Sequence, residues 1–436
     1  MLRLIIKNLW ARRKRNGWLL AELILVTVVS WAILDQTVVN FYVSHKPVGY
    51  DKERLLLMET AMIEKASPRY DAQSSDSISL ENDFQRILSR LRTLDEIELV
   101  APLRSYAFLE SEGNSTSMFQ TEADTTLQTY AARVFFCPGE NYFDTYGIEP
   151  AKGSPSAKEL SSLSYGTNDV VISRSLADYL FPQGNALNHY MNLDANDPDE
   201  PGYRIVGVVE DVAVRHLTRF RMTVFLPDYN RDMESDFMPH ILIRMKEGVN
   251  VKAFCNKLNL LMPKELHAGN VYTRDLKTYQ EQHDYLSTGF GFTSSMTLRY
   301  LLTAFFLVNL CLGVIGNFWL QTRKRTEEAG VMKSFGATSG HIVRMLLGEG
   351  WFLATVAVLI GCFIYLQYGW AEGLAVEPYS FSSYSVQKDW MDNFWSHFCH
   401  ISAVVYVLIT AVVLIGIYIP ARNISKVNPV DALRDE

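Results

Sequence analysis

The sequence predicts an α+β membrane protein in which four transmembrane helices carry a large mixed α/β domain on a helical stalk. Three observations lead to this fold class. Four runs of about 18–23 residues are nearly free of charge, which is the length that crosses roughly 30 Å of hydrocarbon. The long stretch between the first two runs has the composition of a water-soluble domain, and cations gather on one side of the runs. The apolar runs are residues 17–34, 298–320, 345–366 and 401–419.

The average composition hides this division of the chain. The 436 residues are 48% hydrophobic, as in many soluble proteins, and the net charge is −7. We find no lysine-rich run with interleaved aromatic residues, so no nucleic-acid partner is expected. The five cysteines have no C-x-x-C spacing, so no zinc or redox motif is expected. The sequence leaves open whether Cys137 and Cys255 form a disulfide.

The chain begins with a basic segment, residues 1–16, that has six cations and no acid. One interpretation is a cleaved signal peptide with its cleavage site near Ser30. The length of the basic segment and the presence of Glu22 within the apolar run favour a retained spanning helix instead. Glu22 lies near one end of this helix, so snorkelling of its carboxylate to the membrane surface is the simplest explanation.

The distribution of cations predicts the orientation in the membrane, because cytoplasmic loops carry an excess of lysine and arginine. Residues 321–344 have five cations and the tail 420–436 has three, whereas the loop 367–400 has one cation and four acids. Both termini and residues 321–344 are therefore expected in the cytoplasm. The large domain and the loop are expected on the other side.

The large domain is predicted as a mixed α/β unit. Its clearest helix is residues 79–94, where apolar residues form one stripe and Ser79 is the expected N-cap. Strands at 55–60 and 97–102 complete a strand–helix–strand unit. Strands from residue 168 onward are expected to form a second cluster. The further strands are 105–110, 116–120, 127–136, 168–173, 203–212 and 240–246, and further helices end at Phe181 or lie near 250–262.

Residues 275–297 are predicted as a stalk helix that joins the large domain to the second spanning run. Apolar or aromatic residues, with one histidine, recur there in steps of three and four, which is a heptad-like pattern. Gly289 and Gly291 predict a bend at the membrane surface. A surface helix of the large domain is the alternative. The stripe consists of Leu276, Tyr279, His283, Leu286 and Phe290.

Residues 321–344 form a charged connection between two apolar runs. The connection opens with three cations, continues with Glu327 and Glu328, and has glycines at positions 330, 336 and 340. A short amphipathic helix held there by two membrane helices is well placed to touch a soluble partner.

No catalytic constellation is found in the sequence. It has no G-x-x-x-x-G-K-[ST] phosphate loop, no G-x-S-x-G elbow and no H-E-x-x-H pair, so the chain is not expected to be an enzyme. The acidic cluster of Asp194, Asp197, Asp199 and Glu200 lacks the spacing of a calcium loop. Four helices and a large outer domain without a catalytic group are typical of a protein that transmits a change across the membrane or gates a passage through it.

Three motifs resemble the permease subunits of ABC transporters of the MacB/FtsX type. Residues 325–338 resemble that family's coupling segment, since RTEEAGVMKSFGAT follows the pattern R-T-x-E-x-G-x-x-[KR]-x-x-G-A-[ST]. Residues 420–436 are similar to its closing motif, P-x-R followed by P-V-x-A-L-R-x-E. Residues 140–153, 168–182 and 203–212 look like segments of the MacB-type periplasmic core. The resemblance covers nearly the whole chain.

The resemblance implies a dimeric permease, of identical or different chains, that binds an ABC ATPase subunit. MacB itself has its ATPase fused at the amino terminus, so the ATPase is expected here on a separate chain, which would bind ATP and magnesium. No cofactor is expected on this chain. Gly340 and His341 replace the family's usual charged pair. The resemblance assigns the ATPase contact to Arg325, Glu327, Glu328, Gly330, Lys333, Gly336 and Ala337, and the tail motif to Pro429, Ala432, Leu433 and Arg434.

We therefore expect a permease in the inner membrane of a Gram-negative bacterium that exports or extracts a lipid, peptide or small amphiphile. It would contact membrane lipid and act with or without a periplasmic adaptor and an outer-membrane channel. One alternative is an FtsX-like protein that activates a periplasmic cell-wall hydrolase, and another is a membrane-tethered enzyme. The expected parts, in chain order, are a basic N-terminus (1–16), the first spanning helix with its stalk (17–44), the periplasmic core domain (45–274), a stalk helix (275–297), the second spanning helix (298–320), the cytoplasmic coupling segment (321–344), the third spanning helix (345–366), a periplasmic loop (367–400), the fourth spanning helix (401–419) and a cytoplasmic tail (420–436).

Overall fold

Two compact units make up the protein. The membrane unit contains residues 1–42, 295–377 and 388–436, and the large domain contains residues 43–294 and 378–387. The computed structural model describes residues 13–121, 126–182, 184–192, 202–215, 222–231, 238–289, 291–323, 325–375 and 389–426.

Helices and strands of the described residues are numbered in chain order. The helices are α1 (Arg13–Ser44), α2 (Ser77–Arg92), α3 (Tyr142–Tyr146), α4 (Ala157–Ser162), α5 (Arg174–Leu180), α6 (Val251–Glu265), α7 (Tyr279–Gly289), α8 (Phe292–Arg323), α9 (Thr326–Ser334), α10 (Ser339–Glu372) and α11 (Phe394–Ile424). The strands are β1 (Leu55–Met62), β2 (Ile97–Leu103), β3 (Ser115–Thr121), β4 (Gln128–Phe136), β5 (Asp169–Ser173), β6 (Tyr190–Asn192), β7 (Tyr203–Val209), β8 (Thr223–Pro227), β9 (His240–Met245), β10 (His267–Ala268) and β11 (Val271–Thr278).

Four long helices confirm the predicted spanning segments. α1, α8, α10 and α11 are long and apolar enough to cross a membrane. Trp351 and Trp370, both exposed on α10, are separated by about 28 Å at 1.5 Å per residue, close to the thickness of the hydrocarbon layer. Tryptophan concentrates at membrane–water interfaces, so these two residues indicate where α10 enters and leaves the bilayer.

Small and aromatic residues allow the spanning helices to pack. A Cβ at Gly361 on α10 would lie 2.7 Å from the side chain of Thr27, so α1 and α10 approach closely there. Trp31 is fully buried between these helices and stacks on Tyr365 with a ring separation of 4.1 Å. Its indole nitrogen donates a hydrogen bond to Ser402 Oγ on α11 at 3.1 Å.

The first layer of the large domain is a five-stranded sheet. Its strand order is β10-β11-β1-β9-β2, with antiparallel neighbours. Alternate residues of β1 face opposite sides, and both sides are buried: Leu56 and Met58 pack in the cluster with α2 and α6, and Leu55 and Leu57 pack in the cluster with α3. The predicted strand–helix–strand unit is therefore correct, but β9 lies between its two strands.

The second layer is a closed barrel in the order β3-β4-β8-β5-β7-β6. β4 pairs with β8, and β5 with β7, in parallel. Tyr142, Phe143 and Tyr146 of α3 are buried in a cluster that includes Leu57 of the sheet and Phe225 of the barrel. This aromatic cluster joins the two halves of the large domain.

The stalk prediction requires correction. Leu276 belongs to β11, where it packs against the α2 and α6 layer, so a single helix over residues 275–297 is wrong. α7 begins only at Tyr279 and ends at Gly289. The predicted bend is confirmed at Gly291, whose φ of +75° interrupts the helical path before α8. Phe290 lies outside the described residues.

Other local predictions also differ from the structure. The N-cap of α2 is Asp76, which accepts a hydrogen bond from Ser79 N, and not Ser79 itself. Residues 105–110 form no strand, and residues 240–246 pair in the first sheet rather than in the second cluster. Cys137 and Cys255 are not joined by a disulfide. Burial raises the pKa of the Cys137 thiol to about 12 and that of Cys255 to about 11, so both remain protonated.

Candidate functional site

The 321–344 segment folds as a short helix between two spanning helices. α9 begins three residues after the last residue of α8, with Glu327 and Glu328 in its first turn near the positive end of the helix dipole. Gly336 ends the helix with a φ of +88°, and its N–H donates to Lys333 O at 2.9 Å. Thr338 then caps α10 by accepting a hydrogen bond from His341 N at 3.3 Å.

Arg325 is buried and holds two helices together. Its side chain donates from Nη1 to Glu349 Oε2 at 2.6 Å and from Nη2 to Glu349 Oε1 at 3.4 Å. Nε donates to Glu328 Oε2 at 3.1 Å. Arg325 and Glu349 are each only 8% exposed. This forked pairing fixes both the distance and the orientation between the start of α9 and the third turn of α10.

An apolar surface lies at the other end of α9. Val331, in the second turn of α9, is 43% exposed, and Phe335, the residue after the helix, is 87% exposed. The two residues are neighbours, since Phe335 N donates a hydrogen bond to Val331 O at 3.3 Å, and adjacent exposed apolar side chains are typical of a contact surface. We call Val331, Phe335 and the exposed Glu327 the contact face.

The residues assigned to the ATPase contact divide into inner and outer groups. Arg325 and Gly330 are buried. Glu328, Lys333 and Ala337 are half-buried, and Ala337 packs against the core of the membrane unit. Glu327 and Gly336 are exposed. The tail motif, Pro429, Ala432, Leu433 and Arg434, lies outside the described residues, as do Asp194, Asp197, Asp199 and Glu200.

Three of the predicted stalk residues anchor α7 inside the large domain. Tyr279 donates a hydrogen bond to Leu109 O at 2.5 Å, and its hydroxyl lies 2.7 Å from that of Tyr146. Burial raises the pKa of both hydroxyls well above the usual value, so both keep their protons. His283 Nδ1 lies 3.6 Å from Glu110 Oε2, and Leu286 is buried.

Glu22 is half-buried and hydrogen-bonded inside the membrane unit, and the snorkelling of its carboxylate to the membrane surface stays a prediction. Both carboxylate oxygens of Glu22 accept hydrogen bonds from Asn317 Nδ2 on α8 at 2.7 Å. The sequence shows that the acidic Glu22 lies within an apolar run, but it does not show that the hydrogen-bonding partner of Glu22 is Asn317, 295 residues later.

A second buried pair in the membrane unit carries no sequence signal. Asp35 Oδ1 lies 2.7 Å from His397 Nε2, and Asp35 Oδ2 accepts a hydrogen bond from Ala375 N at 2.9 Å. Both ionisable side chains are nearly inaccessible to solvent. The pair joins α1 to α11 and to the residues that follow α10. Among the described residues, no group of three His, Cys, Asp or Glu side chains is placed to hold a metal ion.

A four-helix membrane unit combined with a large α/β domain defines a multi-pass transporter component of the permease type. Residues 39–259 match the family described as MacB-like periplasmic core domain, and residues 300–429 match the family described as FtsX-like permease C-terminal. The chain belongs to the MacB/FtsX family of ABC transporter permeases. The expected family, fold class and four-helix organisation are thereby confirmed.

Curated relatives are similar at low identity. The chain is 25% identical over 303 residues to the macrolide export ATP-binding/permease protein MacB 1 of Yersinia pestis, covering 68% of this chain and 42% of the relative. MacB of Escherichia coli K12 is 25% identical over 307 residues, covering 68% of this chain and 42% of the relative. A probable syringafactin export ATP-binding/permease protein of Pseudomonas syringae is 24% identical over 238 residues, covering 52% and 33%. The chain thus spans less than half the length of these relatives.

Two solved structures are similar to part of this chain. The periplasmic region of MacB from Actinobacillus actinomycetemcomitans is 13% identical, with a TM-score of 0.30, covering 56% of this chain and 98% of that one. A domain of a putative permease protein from Porphyromonas gingivalis is 15% identical, with a TM-score of 0.32, covering 52% and 92%.

Proposed function

We propose that this chain is the permease subunit of an ABC transporter in a bacterial inner membrane. An ATPase subunit on a separate chain binds the contact face, and its hydrolysis of ATP drives movement of the spanning helices and of the large domain. ATP and magnesium bind the ATPase, and this chain contributes no catalytic group. Two permease chains, identical or different, form the working complex.

The exposed Phe335 at the tip of α9 is the observation that carries this proposal. Phe335 and Val331 offer apolar surface to a partner, and α9 is held at its other end by the buried Arg325. Burying an aromatic side chain in a partner's pocket is a common source of binding energy. The cations around α9 favour a cytoplasmic position, where an ATPase is present.

We further propose that the complex exports or extracts a lipid, peptide or small amphiphile. Two of the relatives are named for export of macrolides and of syringafactin, which supports this direction of movement. The large domain would change conformation on the periplasmic side, with both termini in the cytoplasm. A periplasmic adaptor, an outer-membrane channel and membrane lipid are further partners of this proposal.

Capture from native membranes tests the proposal. The tagged full chain is solubilised in mild detergent, and the proteins that co-purify are identified by mass spectrometry. We expect an ABC ATPase, and we expect Phe335→Ala to reduce its recovery by about tenfold or more, since truncating a central aromatic commonly costs about 2 kcal/mol. Ile78→Ala is the matched control, because Ile78 is a 74% exposed apolar residue of the large domain.

Two results would contradict the proposal. One is the absence of any ATPase from the wild-type sample. The other is equal ATPase recovery with wild type and Phe335→Ala. Recovery of a cell-wall hydrolase with the ATPase, in place of an adaptor, would assign the FtsX-like signalling role to the complex.

A further inference from the structure

We propose that Arg325 and Glu349 form a strut that makes α9 and the first turns of α10 one rigid body. The inference rests on the proposed function, because the strut matters only if a partner pushes on α9. With the strut in place, a force on the contact face moves the spanning helix α10. Arg325 is thus a positioning residue that acts through Glu349, and not a residue that touches the ATPase.

The geometry is that of a closed triangle. α9 forms one side, about 13 Å long for nine residues at 1.5 Å each. The part of α10 between Ser339 and Glu349 forms the second side, about 15 Å long by the same measure. The turn at Gly336 is one corner, and the Arg325 side chain closes the opposite end. Without that closure the turn would act as a hinge, and α9 would swing instead of transmitting force.

The packing of α9 explains why a strut is needed. Only Ala329 and Gly330 of this helix are buried, so apolar burial holds it weakly against the rest of the membrane unit. Nine residues are also too few for a helix to be stable by its own hydrogen bonds. The charged pair supplies the fixation that packing does not.

The choice of side chains supports a mechanical role. Burying a charge is costly unless it is paired and hydrogen-bonded, and an apolar pair of similar size would fill the same space at less cost. A guanidinium–carboxylate fork offers what an apolar pair lacks, because its two parallel hydrogen bonds define an angle as well as a contact. Glu328 accepts the remaining Nε–H at 3.1 Å and prevents Arg325 from rotating away.

The strut is also linked to α8. Arg325 follows α8 closely along the chain, and α8 is joined to α1 through Asn317 and Glu22 at 2.7 Å. A displacement of the strut therefore reaches α10 through Glu349, and it reaches α8 because Arg325 lies only two residues after the end of that helix.

The experiment uses the full chain in nanodiscs with the ATPase that co-purifies with it. The double variant Arg325→Gln/Glu349→Gln removes both charges, so no buried charge is left unpaired. Three quantities are measured: hydrogen–deuterium exchange of the α9 amides, recovery of the ATPase, and the distance between spin labels at Leu25→Cys and Leu359→Cys with and without ATP and vanadate. Leu25 and Leu359 are exposed on α1 and α10. Cys311→Ala and Cys399→Ser remove the accessible native thiols.

We expect the double variant to recover the ATPase to within about twofold of wild type, because the contact face is intact. Its α9 amides should exchange about tenfold faster, since hydrogen bonds to charged groups hold the helix closed. The ATP-dependent change in the spin-label distance should disappear. Phe335→Ala should do the reverse, with unchanged α9 exchange and lost recovery. Arg299→Gln, which removes an exposed cation near the start of α8, should match wild type in all three.

The outcomes separate the strut from the proposed function. Unchanged α9 exchange in the double variant overturns the strut, and so does a normal ATP-dependent distance change despite faster exchange. A wild-type chain that recovers no ATPase overturns the proposed function and the force-transmitting role with it. Loss of ATPase recovery in the double variant would show that Arg325 or Glu349 belongs to the contact itself, and would also overturn the inference.

Discussion

Buried polar side chains connect the parts of this chain that lie far apart in sequence. Each such group must find a partner, because an unpaired charge or hydrogen-bonding group away from water is costly. In the membrane unit every one of the three clearest pairs joins two different spanning helices or their ends. Two of the pairs are buried, Arg325 with Glu349 and Asp35 with His397, and the third, Glu22 with Asn317, is half-buried.

A titratable pair in the large domain makes its stability depend on pH. His240 on β9 is the register partner of Glu59 on β1. Burial lowers the pKa of His240 to about 4, against the opposing effect of Glu59. Burial alone would raise the pKa of Glu59, but hydrogen bonds from Arg274 and Lys277 outweigh it and lower that pKa to about 2. In the unfolded chain the two groups titrate near 6.5 and 4.3.

The stability of the large domain should therefore fall as the pH is lowered. Between about pH 6.5 and pH 4, His240 binds a proton in the unfolded state but not in the folded state. Between about pH 4.3 and pH 2, the same is true of Glu59. Thermal unfolding followed by circular dichroism measures this fall. His240→Gln should reduce the loss between about pH 7 and pH 4.5. His267→Gln, which changes an exposed histidine of the same sheet, should not, and equal curves for both variants would contradict the assignment.

Sequence reasoning singled out some residues around α9 and missed others. The charged motif around Glu327 and Glu328 was recognisable from residue types alone, and it predicted a short helix in the segment where the structure has α9. Phe335 was missed because one aromatic residue in a glycine-flanked turn has no periodic pattern. Glu349 was missed because its role depends on a contact with Arg325, 24 residues earlier, that spacing does not predict.

At the scale of elements, the spanning helices were predictable because their signal is local. Any 18-residue apolar run must bury its backbone hydrogen bonds as a helix in a membrane, whatever surrounds it. The transition from β11 to α7 was not predictable in this way. Steps of three and four residues from Leu276 suggested one helix, but Leu276 pairs in a sheet with Met58, and the helical path starts only at Tyr279. Sheet pairing with β1, more than 200 residues earlier, overrides the local pattern.

The Asp35–His397 pair should be essential for the packing of α11 on α1. His397→Ala removes one of the two groups within hydrogen-bonding distance of the Asp35 carboxylate and leaves Ala375 N as the other. Breaking a buried pair in this way costs about 3–5 kcal/mol, so the membrane unit should unfold at a clearly lower temperature. All eight tryptophans lie in residues assigned to the membrane unit, so tryptophan fluorescence reports on that unit.

His400→Ala is the matched control for this prediction. His400 is exposed, lies one turn further along α11, and has its Nδ1 within 2.7 Å of Ser396 O on the same helix. It makes no bond to another spanning helix in the described residues, so its loss should leave the unfolding temperature within about a degree of wild type. Similar shifts for both histidine variants would show that the Asp35 pair does not fix α11.

At the scale of the whole molecule, the two units differ in the polarity of their surfaces, as the corresponding parts of the sequence differ in composition. The large domain has three hydrophobic cores of its own, one on each side of the sheet and one in the barrel region, while the membrane unit exposes broad apolar surface on its four helices. Exposed Leu301, Phe305 and Leu312 of α8 are acceptable only where lipid or a second chain covers them. The protein is therefore built to place its large domain in water and α9 at a membrane surface.

The proposed mechanism requires α9 and the large domain to lie on opposite sides of the membrane. α8 alone separates the end of the large domain from α9 along the chain, so a single crossing by α8 is expected to put the two on different sides. The cations of residues 321–344 predict that this side is the cytoplasm, because cytoplasmic loops carry an excess of lysine and arginine. In spheroplasts, a membrane-impermeant maleimide should label Leu260→Cys, a 77% exposed site on α6, and should label Ser334→Cys only after permeabilisation. Both variants are made without Cys311 and Cys399, since the remaining cysteines are buried. Labelling of Ser334→Cys in intact spheroplasts would put α9 beyond the reach of any cytoplasmic ATPase and would remove the physical basis of coupling.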